Sequence, residues 1–230
     1  MKHIVNPGRL FAVAMALIAA PAFAASSVSV TWQGADLNGT RMSTMDTTVS
    51  STQPVTSDYW TTALNYTYTG TANSFVAYCI EPSQQNGRAG IARDYALESF
   101  SGAQAKLLQG LYATEYASLS NYNDKAAFQL AIWEIVRETG SALDVTSGSF
   151  HVLGSDATVN SISQLANSFL GTASSYVGPD RYTLVKLTNA SLQDLVVAAP
   201  LTAVPEPETY ALLLAGLGIV GLKVRRRASR

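Results

Sequence analysis

Two apolar segments, one near each end of the 230-residue chain, carry flanking charges that mark them for a membrane rather than for a core. Whatever folds must therefore be built from the residues between them. At the N-terminus, Lys2 and Arg9 precede an unbroken apolar run from Leu10 to Ala20, followed by Pro21 and the small-x-small site Ala22-Phe23-Ala24. The run is shorter than the ~20 residues a spanning helix needs. Its charge order predicts a signal peptide over 1–24, a helix cleaved after Ala24. At the C-terminus, Val204-Pro205-Glu206-Pro207-Glu208-Thr209 leads into a charge-free stretch from Tyr210 to Leu222, then Lys223, Arg225, Arg226, Arg227 and Arg230. Several cations together resist translocation. Residues 204–230 thus read as a tail whose short apolar transmembrane helix stops transiently in the membrane, with the domain outside and the basic end inside.

These three ordered parts resemble the PEP-CTERM sorting tail of Gram-negative bacteria. The resemblance covers residues 204–230 only. It implies processing by an exosortase that recognises Pro205-Glu206-Pro207 and removes the helix. It also implies delivery to the cell envelope, outer surface or extracellular matrix of bacteria that make exopolysaccharide or biofilm. It does not assign an activity to the cargo.

Removing both signals leaves about 25–203, enough for one ordinary domain. Of the 15 Lys+Arg and 16 Asp+Glu, seven cations and two anions lie in the ends, so the interior carries 8 and 14, a net charge of −6. A mildly acidic domain argues against nucleic acid as a partner. Between 25 and 203 stand one cysteine, Cys79, and one histidine, His151. One cysteine makes no internal disulfide, and the pair makes no zinc cluster. His151, in Gly148-Ser149-Phe150-His151-Val152, has no nucleophile elbow beside it. No phosphate loop, dinucleotide fingerprint or calcium loop is present. Neither cofactor, metal nor turnover catalysis is expected.

The periodicity predicts an α+β fold, a β-sheet or sandwich with a small helical subdomain, over 25–197, and a linker over 198–203. Val28, Val30 and Trp32 alternate with polar residues, as do Leu64, Tyr66 and Tyr68. The polar stretch between them, 44–57, reads as an edge strand or a long loop. Residues 73–81 are almost continuously apolar and short, which suits a central strand buried on both faces. On it, Phe75, Ala77, Cys79 and Glu81 would share one face. Helices are predicted from Ser101 to about Ser118, from a cap at Asn123 or Asp124 to about Glu138, and over 158–170. The second of these shows an apolar stripe of Phe128, Ile132, Ile135 and Val136. Tyr182 to Lys186 and Leu192 to Val197 read as closing strands.

Two segments then stand out, Tyr78-Cys79-Ile80-Glu81-Pro82 and Phe128-Gln129-Leu130-Ala131-Ile132-Trp133. Gln129 flanks the apolar stripe of its helix, and a buried primary amide must be hydrogen-bonded. The bland explanations are a cysteine acting as a small hydrophobe and a glutamine bonded to nearby backbone.

The segments also resemble the thioester domains of bacterial surface adhesins, in which a Tyr-Cys cysteine bonds to the glutamine of a Gln-x-Ala-Ile-Trp segment. The match falls on Tyr78 and Cys79, and on Gln129, Ala131, Ile132 and Trp133. The family often has threonine before the glutamine, where this chain has Phe128. The resemblance implies an intramolecular Cys79–Gln129 thioester formed with loss of ammonia. Such a bond is a single-use acyl group open to an amine or hydroxyl on a surface protein or polysaccharide. Glu81 would serve as proton donor or shuttle, and Tyr78 and Trp133 would exclude water. The competing expectation is a non-covalent or structural matrix protein that binds exopolysaccharide through Tyr and Trp.

Overall fold

The computed structural model describes residues 27–35, 40–48 and 55–200. The predicted signal peptide, with Ala22 and Ala24, lies outside them. So does the predicted tail, with Pro205, Glu206, Pro207, its apolar helix and Arg225, Arg226 and Arg227. Among the described residues no helix is long and apolar enough to cross a membrane.

In chain order the strands are β1 (Ser27–Ala35), β2 (Thr40–Asp46), β3 (Val55–Thr61), β4 (Leu64–Tyr68), β5 (Ser74–Cys79), β6 (Ala92–Glu98), β7 (Phe150–Leu153), β8 (Tyr182–Thr188) and β9 (Leu195–Pro200). The helices are α1 (Gly102–Thr114) and α2 (Tyr122–Arg137), with a 3-10 turn at Tyr116–Ser118 between them, and α3 (Ala157–Ser175). The mixture of strands and helices agrees with the sequence, but the main sheet is not a sandwich. Six strands close into an antiparallel barrel in the order β1-β4-β5-β9-β8-β6, and β3-β2-β7 form a separate sheet. Closure removes every edge from the main sheet. The polar 44–57 stretch supplies parts of β2 and β3, which pair from Thr40↔Thr61 to Asp46↔Val55.

Alternation places Val30, Leu64, Tyr66, Ala77, Cys79, Tyr95 and Leu195 in the core, each at most 5% exposed. β1 turns where its register with β4 shifts between Trp32 and Gly34. Gly34 has φ of 121°, a conformation open to glycine and strained for other residues. β9 runs through 198–200, so the barrel takes in three residues of the expected linker.

The helix caps correct one expectation and bear out the position of another. α2 is capped by Asn121, not Asn123 or Asp124. The Asn121 side chain accepts from Asp124 N–H at 3.0 Å, and the Asp124 carboxylate accepts from the Asn121 N–H at 3.3 Å, a reciprocal capping box. Ser101 occupies the N-cap of α1 without a side-chain cap bond. The larger correction concerns α2 itself. In place of a one-sided stripe, every residue from Ala126 to Ile135 is buried. α2 packs against α1 and α3, against β5 of the barrel, and against β2, β3 and β7 of the second sheet. A helix enclosed on all sides loses the amphipathic signature of a surface helix, and polar residues on it must find partners inside.

Candidate functional site

The barrel leaves a gap in its hydrogen bonding at Cys79. On one side, β5 pairs with β9 as far as Cys79↔Leu195, and the Ile80 N–H continues the ladder to Asp194 O at 2.9 Å. On the other side, β4 begins only at Leu64↔Ala77. Main-chain groups of successive strand residues point to alternate neighbours. The N–H and C=O of Cys79 therefore point toward β4, beyond its first residue.

Gln129 fills that gap. Its Oε1 accepts from the Cys79 N–H at 3.0 Å, and its Nε2 donates to the Cys79 carbonyl at 2.7 Å. The side-chain amide thus acts as one missing strand residue, and two buried main-chain groups and one buried primary amide satisfy each other. Cys79 is 3% exposed and Gln129 1%. The two residues singled out by sequence, 50 positions apart, meet.

The sulfur lies on the inward face of β5, shared with Ala77 and opposite Leu195. Burial pushes the thiol pKa up to about 12. The Trp133 side chain and the Glu81 N–H favour the thiolate, while the carboxylates of Glu81 and Asp194 oppose it. Trp133 is 1% exposed, with its ring held edge-on by Tyr59 at 5.6 Å and by Phe150 at 5.9 Å.

The other expected helpers sit differently. β5 ends at Cys79, so Glu81 is not on the strand face of the sulfur. Its carboxylate accepts from Gln84 Nε2 at 2.9 Å and Ser83 Oγ at 3.4 Å, closing the turn after the strand. Tyr78 points to the face opposite the sulfur, where its ring packs on Phe128 at 4.9 Å. Phe128 in turn meets Tyr112 at 5.0 Å and Tyr116 at 5.9 Å. This chain's departure at Phe128 is thereby explained: the side chain before Gln129 anchors an aromatic cluster between α1, α2 and β5. His151 lies on β7, half-buried, with Nδ1 3.0 Å from Gly148 O.

Asp194 was not singled out by sequence. Its main chain extends the ladder past Cys79, and its carboxylate accepts from the Asn189 N–H at 2.9 Å and lies 3.7 Å from Lys186 Nζ. A cleft of ≈ 330 Å³ borders the residues that follow Cys79, lined by Ile80, Glu81, Arg137, Lys186 and Asp194 among others. No cluster of His, Cys, Asp and Glu suited to a metal occurs among the described residues.

The family described as the PEP-CTERM protein-sorting motif matches residues 203–227. This chain carries that sorting motif. The motif implies export to the cell envelope or surface and processing by an exosortase. No curated protein matches the chain by sequence. Two solved structures are similar in overall form. The N-terminal domain of the Streptococcus pyogenes pilus tip adhesin Cpa shares 13% identity and a TM-score of 0.47, covering 75% of this chain and 99% of its own. The N-terminal thioester domain of a surface protein from Clostridium perfringens shares 12% and 0.43, covering 76% and 100%. At this identity and fit the likeness assigns no residue of the PEP-CTERM chain a role.

Proposed function

We propose that this PEP-CTERM protein is a cell-surface or biofilm-matrix component that attaches covalently to an amine- or hydroxyl-bearing partner through a Cys79–Gln129 thioester. The observation that carries the reading is the pair of hydrogen bonds from the Gln129 amide to the main chain of Cys79. They hold the acyl donor against the residue that bears the thiol. Fixed orientation of this kind contributes on the order of 7–11 kcal/mol to an intramolecular reaction. The Cys79 N–H also polarises the Gln129 carbonyl and stabilises the oxyanion of a tetrahedral intermediate.

In the forming step, the Cys79 sulfur bonds to Gln129 Cδ and the Cδ–Nε2 bond breaks. The thiol proton goes to the departing nitrogen, which leaves as ammonia. In the capture step, a partner amine bonds to Cδ, the Cδ–Sγ bond breaks, and a proton from the amine returns to the sulfur. A hydroxyl in place of the amine gives an ester. Nothing regenerates the thioester, so the event is single-use and not turnover.

A thiol with a pKa near 12 stays protonated at neutral pH, which suppresses stray oxidation in an exported protein and leaves Gln129 as the electrophile within reach. Of the large apolar and aromatic side chains described, Tyr68 and Tyr122 are the exposed aromatics, whereas Tyr66, Tyr78, Tyr95, Tyr112 and Trp133 are core.

Intact mass of the full-length chain, purified in detergent, tests the proposal. A mass one ammonia lower than the sequence requires, converted by methylamine to the methylamide mass and absent in Cys79→Ala, is the expected result. An unshifted mass with unmodified Cys79 and Gln129 rejects it in favour of the non-covalent matrix protein.

A further inference from the structure

Among the polar atoms around Cys79, the indole nitrogen of Trp133 is anomalous. It is buried, and no acceptor forms a hydrogen bond with it. Buried indole N–H groups ordinarily find a partner. Trp133 sits four residues after Gln129, so the two side chains leave neighbouring positions on one helix face. The ring cannot swing away to find an acceptor, because Tyr59 and Phe150 hold it from two sides. Gln129, one turn earlier, is bonded to the Cys79 main chain, so the helix face it shares with Trp133 is turned toward Cys79, whose thiol counts Trp133 among its neighbours and is a weak acceptor while neutral.

We infer that the Trp133 N–H is a catalytic hydrogen-bond donor to the Cys79 sulfur, idle while the sulfur is neutral and engaged when the sulfur carries negative charge. This rests on the thioester reading and adds a division of labour to it. The Cys79 N–H serves the oxygen of the acyl group, and Trp133 serves the sulfur. The direction in which Trp133 moves the thiol agrees, since it is foremost among the groups that favour the thiolate against burial.

Indole also suits the position chemically. A donor held against an activated acyl group must not attack it. Lysine, serine, tyrosine and histidine all carry a nucleophilic atom, whereas the indole nitrogen donates without offering a reactive lone pair. When a partner amine attacks Gln129 Cδ, the Cδ–Sγ electron pair moves to sulfur. The Trp133 N–H then stabilises the departing thiolate until the amine's proton reaches it. Trp133 transfers no proton at any stage.

The test is the rate at which methylamine opens the thioester, followed by intact mass on the full-length chain in detergent. Trp133→Phe removes the N–H and some ring volume. A second variant carries the benzothiophene isostere of tryptophan at position 133, which keeps the bicyclic shape and lacks only the N–H. Both are expected to form less thioester and to react at least about tenfold more slowly, the effect of one hydrogen bond to a charged group. The isostere should do so with an unchanged melting temperature. An isostere variant that forms and loses the thioester at wild-type rates overturns the inference and leaves the thioester standing. A wild-type chain without the ammonia deficit overturns both.

Discussion

Gln129 Nε2 donates to the Cys79 carbonyl at 2.7 Å, and it is the atom that must depart if Cys79 is to be acylated. The clasp that assembles the site is therefore partly undone by the reaction it favours, and the two roles of Gln129 can be separated. In a Cys79→Ala background no thioester forms, yet both main-chain groups of residue 79 still need the amide. Adding Gln129→Ala there is expected to cost a further ~2–4 kcal/mol, from two orphaned backbone groups and a cavity. Urea unfolding of the single and double variants measures it. A further loss below about 0.5 kcal/mol would mean that the clasp contributes little, since surface changes alone reach that size.

Stability is expected to fall as pH rises through neutrality because of Glu134. This residue is 0% exposed on the enclosed helix α2. One carboxyl oxygen accepts from the Asp144 N–H at 2.8 Å, and the other has no partner. Burial raises its pKa from 4.5 to about 7, with Glu138 and Asp144 adding to the rise and the Asp144 N–H opposing it. The folded state holds the proton that the unfolded state releases. The full contribution is therefore present below about pH 4.5 and is lost as pH rises through about 7, a change on the order of 3 kcal/mol. Glu134→Gln keeps an acceptor for Asp144 and should flatten that part of the profile of melting temperature against pH. An unchanged slope would assign the effect to other groups.

Phe128→Thr, which introduces the residue common at this position in the thioester domains that the segment resembles, is expected to be harmful here. The ring fills the space between Tyr78, Tyr112 and Tyr116 and is 0% exposed. Truncation leaves a cavity and a buried hydroxyl, costing ~3–5 kcal/mol. Thermal unfolding reads the loss directly, and a variant as stable as the parent would show that the aromatic cluster repacks.

The second sheet is tied to α2 through Arg137, whose Nε lies 2.7 Å from Asp46 Oδ2. Asp46 is 3% exposed, so Arg137→Ala strands a buried carboxylate and should cost about 3 kcal/mol or more. Combining Asp46→Asn with Arg137→Ala removes that charge and should recover part of the loss, read by urea unfolding. A double variant no better than the single one would place the loss in Arg137's packing, not in the uncompensated charge.

The local elements were legible because each depends on short-range order. Alternation marked β1 and β4, the apolar run at 73–81 marked a strand buried on both faces, and helical periodicity marked α1, α2 and α3. Cys79 and Gln129 were legible as a pair through the two flanking segments. Asn121 was missed as a cap because Asn123 and Asp124 offer the same chemistry closer to the apolar run, and only the backbone geometry selects among them. Glu134 and the unpaired N–H of Trp133 were missed because periodicity shows α2 as one-sided, whereas structure on every side encloses it.

From the sequence alone, charge order and period settled the two terminal signals and the kinds of elements, while the sorting motif and the pairing of Gln129 with Cys79 came from the resemblance of short segments to known families. Tertiary structure decided which strands pair, that the six of them close into a barrel, and that β4 starts two residues short of Cys79. Every backbone offers the same N–H and C=O, so no residue pattern announces its partner strand. The place where the ladder fails, and where a glutamine side chain must complete it, exists only once the barrel has closed.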